Sequence, residues 1–166
     1  RQRHSSTWNL TPRGEDQARI AGQWIIKNIN NGTFDTYYTS TYRRAMRTAG
    51  LLDLPDALWN VRDYVREHDW GNLDAMTDEE RIAQYPHAME KRETNPYYFA
   101  APGGESLADV LIRAQVGVLG TLFRQAPNKR GIVVTHGNLL WPLRIILEGI
   151  HPNEYLKRKA LKDPAD

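Results

Sequence analysis

The stretch "GIVVTHGNLLWPLRIILEGI", from Gly131 to Ile150, limits the possible folds more sharply than any other part of the chain. Ile132, Val133 and Val134 make a continuous β-branched run, the pattern of a buried strand. His136 and Gly137 follow directly, and helix formers then resume, with a bend or a helix start set by Pro142. The same order recurs upstream. "DTYYTS" (Asp35 to Ser40) is a short aromatic and β-branched run that predicts a strand, and "TYRRAMRTAGLL" must turn helical almost at once after it. "LWNVRDYVRE" (Leu58 to Glu67) reads as another strand. Strands alternating with helices predict an α/β architecture with a largely parallel sheet.

Two more helices are legible. In "LTPRGEDQARIAGQWIIKNI", Thr11 suits the N-cap and Pro12 the first helical position. Ala18, Ala21, Ile25 and Ile29 then recur at three- and four-residue steps. Leu107, Val110, Leu111, Ala114, Val118 and Leu122 fall on one face of a later helix. Between them, His68 to Gly104 is rich in turn formers and aromatics and reads as a loop-and-helix excursion. No repeat, low-complexity tract or linker-like shift interrupts the 166 residues. One domain over residues 1–166 is therefore expected, large enough for a sizeable core.

Composition narrows the partners. The chain has no cysteine, which excludes disulfides, thiol nucleophiles and cysteine zinc sites and suits a cytoplasmic location. No apolar run approaches a membrane span and no signal-peptide pattern opens the sequence, so no membrane partner is expected. The net charge is only +2. "YLKRKALK" (Tyr155 to Lys162), the nearest thing to a basic stripe, reads as a solvated helix face, so nucleic acid is not an expected partner.

In open α/β sheets, ligand chemistry gathers beyond the carboxyl ends of the strands. His136 follows one strand directly, with Gly137 allowing close backbone approach. Arg43 and Arg44 follow "YYTS", Glu67 closes the next extended run, and His4 joins them if a strand leads into Arg3. Such a set suits phosphoryl transfer. Guanidinium groups bind phosphate oxygens through paired, charge-assisted hydrogen bonds. A neutral imidazole can attack phosphorus and split one transfer into two easier steps, while a second imidazole donates to the phosphoryl oxygens. A carboxyl group can protonate the leaving alkoxide if it holds its proton. Burial raises its pKa and neighbouring arginines lower it, a balance that sequence leaves open.

"RH" followed by a small residue, "TSTYRRAMRTA", "VREHDWGNLD", "GGESLADV" and "VVTHGN" occur in the order found in the histidine phosphatase superfamily, which the chain resembles over nearly its whole length. That superfamily includes cofactor-dependent phosphoglycerate mutase. The resemblance implies a phosphoglycerate mutase-like, three-layer α/β/α sandwich with a mostly parallel central sheet. It also implies that His4 is the phosphorylated nucleophile, Glu67 the proton donor and His136 the second pocket histidine. Phosphate would be held by Arg3, Asn9, Arg44 and the backbone N–H of Gly137. Aligning "SxxxRAxxTA" onto "STYRRAMRTA" selects Arg44 rather than Arg43. Members of the superfamily need no metal, so no metal and no cofactor are expected; a bisphosphoglycerate primer enters only if the chain is a mutase.

The sequence also departs from the family. Ser5 stands where glycine is usual, and the loop from His4 to Thr11 is short, which leaves Asn9 the least constrained assignment. The apolar strands that relatives carry before the RH motif and near the C-terminus are missing from the sequence, so trimming at both ends is expected. His87 and His151 read as surface residues, and Arg43, Arg47 and Arg62 as solvated or salt-bridging. His68, Tyr97, Tyr98 and Glu105 are secondary candidates for lining the substrate; Glu105 alternatively caps the helix that follows, and the two tyrosines alternatively belong to the core.

The expected activity is hydrolysis of a small phosphorylated substrate through a phosphohistidine. A mutase would use the same residues but return the phosphoryl group to a second hydroxyl. A binding module would need neither a nucleophile nor an acid. The short chain favours hydrolysis, as does "NPYYFAAPGGES", which resembles a stretch of phosphatase-like members. The segment His68–Gly104 is expected to set specificity. The particular substrate and the oligomeric state are not legible.

Overall fold

The computed structural model describes residues 4–151 and Glu154. Arg3 and the stretch Tyr155 to Lys162 lie outside the described residues. Helix α1 spans Pro12–Asn28, and Thr11 caps it as expected, its hydroxyl accepting the N–H of Gly14. Strand β1 (Thr36–Ser40) runs into α2 (Arg43–Leu51), and β2 covers Trp59–Arg62. Two short helices follow, α3 (Asp78–Gln84) and α4 (Pro86–Thr94). Then come α5 (Leu107–Arg113), a π-helical turn over Ala114–Leu119, α6 (Gly120–Gln125), β3 (Gly131–Val134) and α7 (Gly137–Glu148).

The three strands form a parallel sheet in the order β2-β1-β3. Alternation along β3 sorts its side chains to two cores. Ile132 and Val134 join Tyr37, Leu52, Leu54, Ile25 and Ile26 beneath α1 and α2. Val133 joins Val110, Ala114, Val118, Leu139 and Leu143 beneath α5, the π-turn and α7. With helices on both faces, the architecture is the expected three-layer α/β/α sandwich.

Several local expectations change. The strand read over Leu58 to Glu67 stops at Arg62, and a 3-10 turn over Asp63–Val65 intervenes before Glu67. Ser40 pairs with Arg62, and β1 ends there, so among the described residues β2 has no neighbouring strand to follow beyond that register. β3 is half-buried rather than buried, because it is an edge of the described sheet. On α1, Ala21 is exposed and Gly22 takes the inward position beside Ala18. A Cβ at Gly22 would lie 2.0 Å from the Leu52 carbonyl oxygen, so only glycine lets α1 approach the end of α2. Pro142 lies inside α7 and does not start it.

The face from Leu107 to Leu122 is interrupted by the π-turn. The wider turn brings both Val118 and Leu119 inward and seats Gly117 against the Tyr64 ring. The excursion from His68 to Gly104 packs on a small core of its own, Leu73, Phe99 and Ala101 under Trp70, Met76, Tyr85 and Met89. Among the described residues no helix is long and apolar enough to cross a membrane.

Candidate functional site

The carboxyl ends of β1 and β3 open into a cavity of about 280 Å³ lined by Leu10, Arg44, Ala45, Thr48, Glu67, Val134, Thr135, His136 and Gly137. Of the residues singled out from sequence, it gathers Arg44, Glu67, His136 and Gly137. Strand ends and helix starts place them there. Arg44 lies in the first turn of α2, and His136 is the N-cap of α7 with Gly137 the first helical residue. As the first helical residue, Gly137 has no intrahelical acceptor for its N–H. A Cβ at Gly137 would meet nothing within 4 Å, which leaves the backbone open to the cavity.

Glu67 has its carboxylate Oε1 2.8 Å from the N–H of His68, which donates to it. Burial pushes its pKa up; the His68 N–H, the Arg44 charge and Asn138 pull the other way and lose. Desolvation is therefore the larger effect in the balance that sequence left open, and it acts against the ionised form. His136 is 7% exposed. Burial first, and the charges of Arg44 and Arg113 next, lower its pKa to about 3, so the ring is neutral at physiological pH. Its Nε2 lies 2.8 Å from the hydroxyl of Ser40. Arg44 donates from Nη1 to the Ser5 carbonyl at 2.8 Å and lies 4.9 Å over the Tyr42 ring.

His4 does not line this cavity. It is exposed, and its Nδ1 accepts the N–H of Ser6 at 3.2 Å while Nε2 lies 3.1 Å from Asp74 Oδ2. Asp74 also accepts the Ser5 N–H at 2.8 Å. The Tyr42 ring makes edge contacts with both imidazoles, 6.4 Å from His4 and 5.1 Å from His136, so one aromatic ring bridges the two histidines. Asn9 is exposed and outside the cavity; Leu10 lines it instead.

The secondary candidates go elsewhere. Glu105 does not cap α5; Ser106 does, in a capping box with Asp109. Instead, the Glu105 carboxylate takes a fork of Arg113 at 2.9 Å on each oxygen, Arg66 at 2.8 Å and the Asp69 N–H at 3.1 Å. Arg113 also donates to the carbonyls of Tyr64, Arg66 and Glu67, tying down the backbone that carries Glu67. His68 is buried, donates from Nε2 to the Glu105 carbonyl at 2.6 Å and packs on Trp70. It lines a separate cavity of about 480 Å³ with Trp70, Arg92 and Phe99. Tyr97 packs against the Leu107, Trp141 and Ile145 cluster, and Tyr98 is exposed beside a third cavity. Ser40, Tyr42, Asn138 and Arg113 were not singled out from sequence. The first two lie within "TSTYRRAMRTA", whereas Arg113 beside an apolar helix face carries no signal of its own.

A parallel α/β/α sandwich with a cationic and acidic cavity beyond its strand ends defines a class of ligand-processing α/β proteins. The chain belongs to the histidine phosphatase superfamily: the profile of its branch 1 matches residues 1–165. It is 33% identical over 147 residues to the 2,3-bisphosphoglycerate-dependent phosphoglycerate mutase of Methylorubrum populi, covering 85% of this chain and 68% of that one. The enzyme of the same name from Azorhizobium caulinodans is 30% identical over 159 residues, covering 91% and 75%. Among solved structures, the α-ribazole phosphatase of Shigella flexneri superposes with a TM-score of 0.77 at 17% identity, over 89% of this chain and 71% of that one. A mycobacterial glucosyl-3-phosphoglycerate phosphatase with inorganic phosphate superposes at 0.74 and 24% identity, over 91% and 74%. At these identities the structural likeness shows the fold.

Proposed function

We propose that the chain is a metal-independent phosphomonoester hydrolase working through a phosphohistidine on His4. The observation that carries the reading is Glu67: burial pushes the pKa of its carboxyl group up although Arg44 and Asn138 oppose it, in a cavity that also holds a neutral His136. A carboxyl group whose hold on its proton is strengthened by burial is suited to giving that proton to a leaving alkoxide. Arg44, His136 and the Gly137 N–H bind the phosphoryl oxygens, with Arg3 and Asn9 assigned to the same role by the family motif.

The chemistry balances in two steps. A ring nitrogen of His4 attacks phosphorus, the P–O ester bond breaks, and the leaving oxygen takes the Glu67 proton. Water then attacks the phosphohistidine, its proton passes to the Glu67 carboxylate, and the N–P bond breaks to release inorganic phosphate. In this structure Nδ1 of His4 accepts from Ser6 and Nε2 faces Asp74, so attack requires one of these contacts to be given up. The segment His68–Gly104, with its own small core, would select the rest of the substrate.

A second reading is a mutase, favoured by the names of the Methylorubrum and Azorhizobium relatives. It would use the same residues and return the phosphoryl group to a second hydroxyl. Hydrolysis of p-nitrophenyl phosphate in EDTA, abolished by His4→Ala, is the expected result. Activity lost with chelator and restored by metal would overturn the mechanism. Conversion of 3- to 2-phosphoglycerate stimulated by bisphosphoglycerate would select the mutase, and affinity for phosphate esters without turnover would identify a binding module.

A further inference from the structure

We propose that Ser40 fixes His136 as the neutral imidazole protonated on Nδ1, so that Nδ1–H is the donor His136 offers to a phosphoryl group. Ser40 ends β1 and is fully buried, at 0% exposure. Its Oγ accepts the N–H of Tyr42 at 3.1 Å and lies 2.8 Å from His136 Nε2. A backbone N–H can only donate, so that bond uses a lone pair of Oγ and leaves the hydroxyl hydrogen to be placed. Among the described residues no acceptor other than Nε2 lies within bonding distance of this hydroxyl, and burial denies it solvent. The Ser40 hydroxyl therefore donates to Nε2.

A ring nitrogen that accepts carries no proton. In a neutral imidazole the proton is then on Nδ1. The opposite tautomer would give Nε2–H to Oγ and leave the buried hydroxyl hydrogen with no acceptor. A charged ring would do the same, and burial together with Arg44 and Arg113 disfavours it. His136 lines the cavity with Arg44, Glu67 and Gly137, and its Nδ1 makes no hydrogen bond among the described residues. The donor is thereby neutral, oriented and held by a strand residue that never touches substrate, which makes Ser40 a positioning residue. The use of that N–H rests on the phosphatase reading; the tautomer does not.

The test is the two-bond proton–nitrogen spectrum of 15N-histidine-labelled protein at neutral pH, with His136 assigned by its loss in His136→Gln. The wild type should show an unprotonated Nε2 and a protonated Nδ1. Ser40→Ala should shift the population toward Nε2–H and lower kcat/KM for p-nitrophenyl phosphate about five- to tenfold, the worth of one neutral hydrogen bond. Ser40→Thr, which keeps the hydroxyl, should restore the Nδ1–H spectrum. A wild-type ring protonated on Nε2 overturns the proposal whether or not the variants fold, and so does a spectrum unchanged in Ser40→Ala. If the tautomer is as stated but His4→Ala retains activity, the nucleophile assignment fails and the Ser40 assignment stands.

Discussion

Glu67 and His136 face the same cavity and are moved in opposite directions by the same cause, loss of solvent around an ionisable group. The raised carboxyl of Glu67 binds its proton more tightly when folded than when unfolded. Its contribution to stability is thus full below pH 4.5 and is lost as pH rises through the folded value; at neutral pH the buried carboxylate is a cost. Glu67→Gln should therefore melt higher than wild type at pH 7. The same variant should slow hydrolysis most for esters with poor leaving groups; equal slowing for good and poor leaving groups would remove Glu67 as the acid. His136 has the reverse sign. Its folded pKa near 3 lies below the ordinary 6.5, so its contribution is present above pH 6.5 and is lost as pH falls toward 3. Denaturant titrations at pH 7 and pH 4 should show less acid destabilisation in His136→Gln than in wild type, and parallel pH dependence would contradict this. Arg44, Glu67, His136 and Gly137 were legible because each follows a strand end in a motif. Ser40 was not, because its value lies in a buried hydroxyl whose single acceptor appears only in three dimensions.

Among the elements, α5 and the turn before Glu67 are joined by charge rather than by apolar packing alone. The Glu105 and Arg113 side chains are only 15% and 12% exposed, and Arg113 satisfies three carbonyls on the segment that leads to Glu67. Breaking such a pair leaves a partly buried carboxylate with fewer partners, a loss of about 3 kcal/mol. Arg113→Met should cost about that much in denaturant unfolding and reduce activity with it, and Arg113→Met/Glu105→Gln should regain part of the stability. A single-variant loss below about 1 kcal/mol would show that the pair does not hold the loop. Elements with a clear period were readable: β1, α2, α1 with its Thr11 cap, and the strand and helix around His136. Those set by neighbours were not. The end of β2 follows from where β1 runs out, and Gly22 in place of Ala21 follows from the Leu52 carbonyl pressed against it.

At the scale of the molecule, the parallel sheet brings residues from four distant segments to one cavity: Leu10, Arg44, Glu67 and His136. The order of the motifs carried that much, because alternation of strand and helix dictates on which edge of the sheet they end. The excursion between His68 and Gly104 stayed opaque, since short helices around an aromatic core have no lasting period. His4 is the residue on which the phosphohistidine mechanism turns, and it meets the site through Tyr42 rather than by lining the cavity. Trapping the enzyme during turnover of p-nitrophenyl phosphate, and mapping the phosphoryl group by mass spectrometry under alkaline conditions, tests that role directly. An acid-labile phosphoryl group on His4 is expected in wild type and none in His4→Ala, which should also be inactive. A phosphoryl group on another residue, or full turnover by His4→Ala, would contradict it.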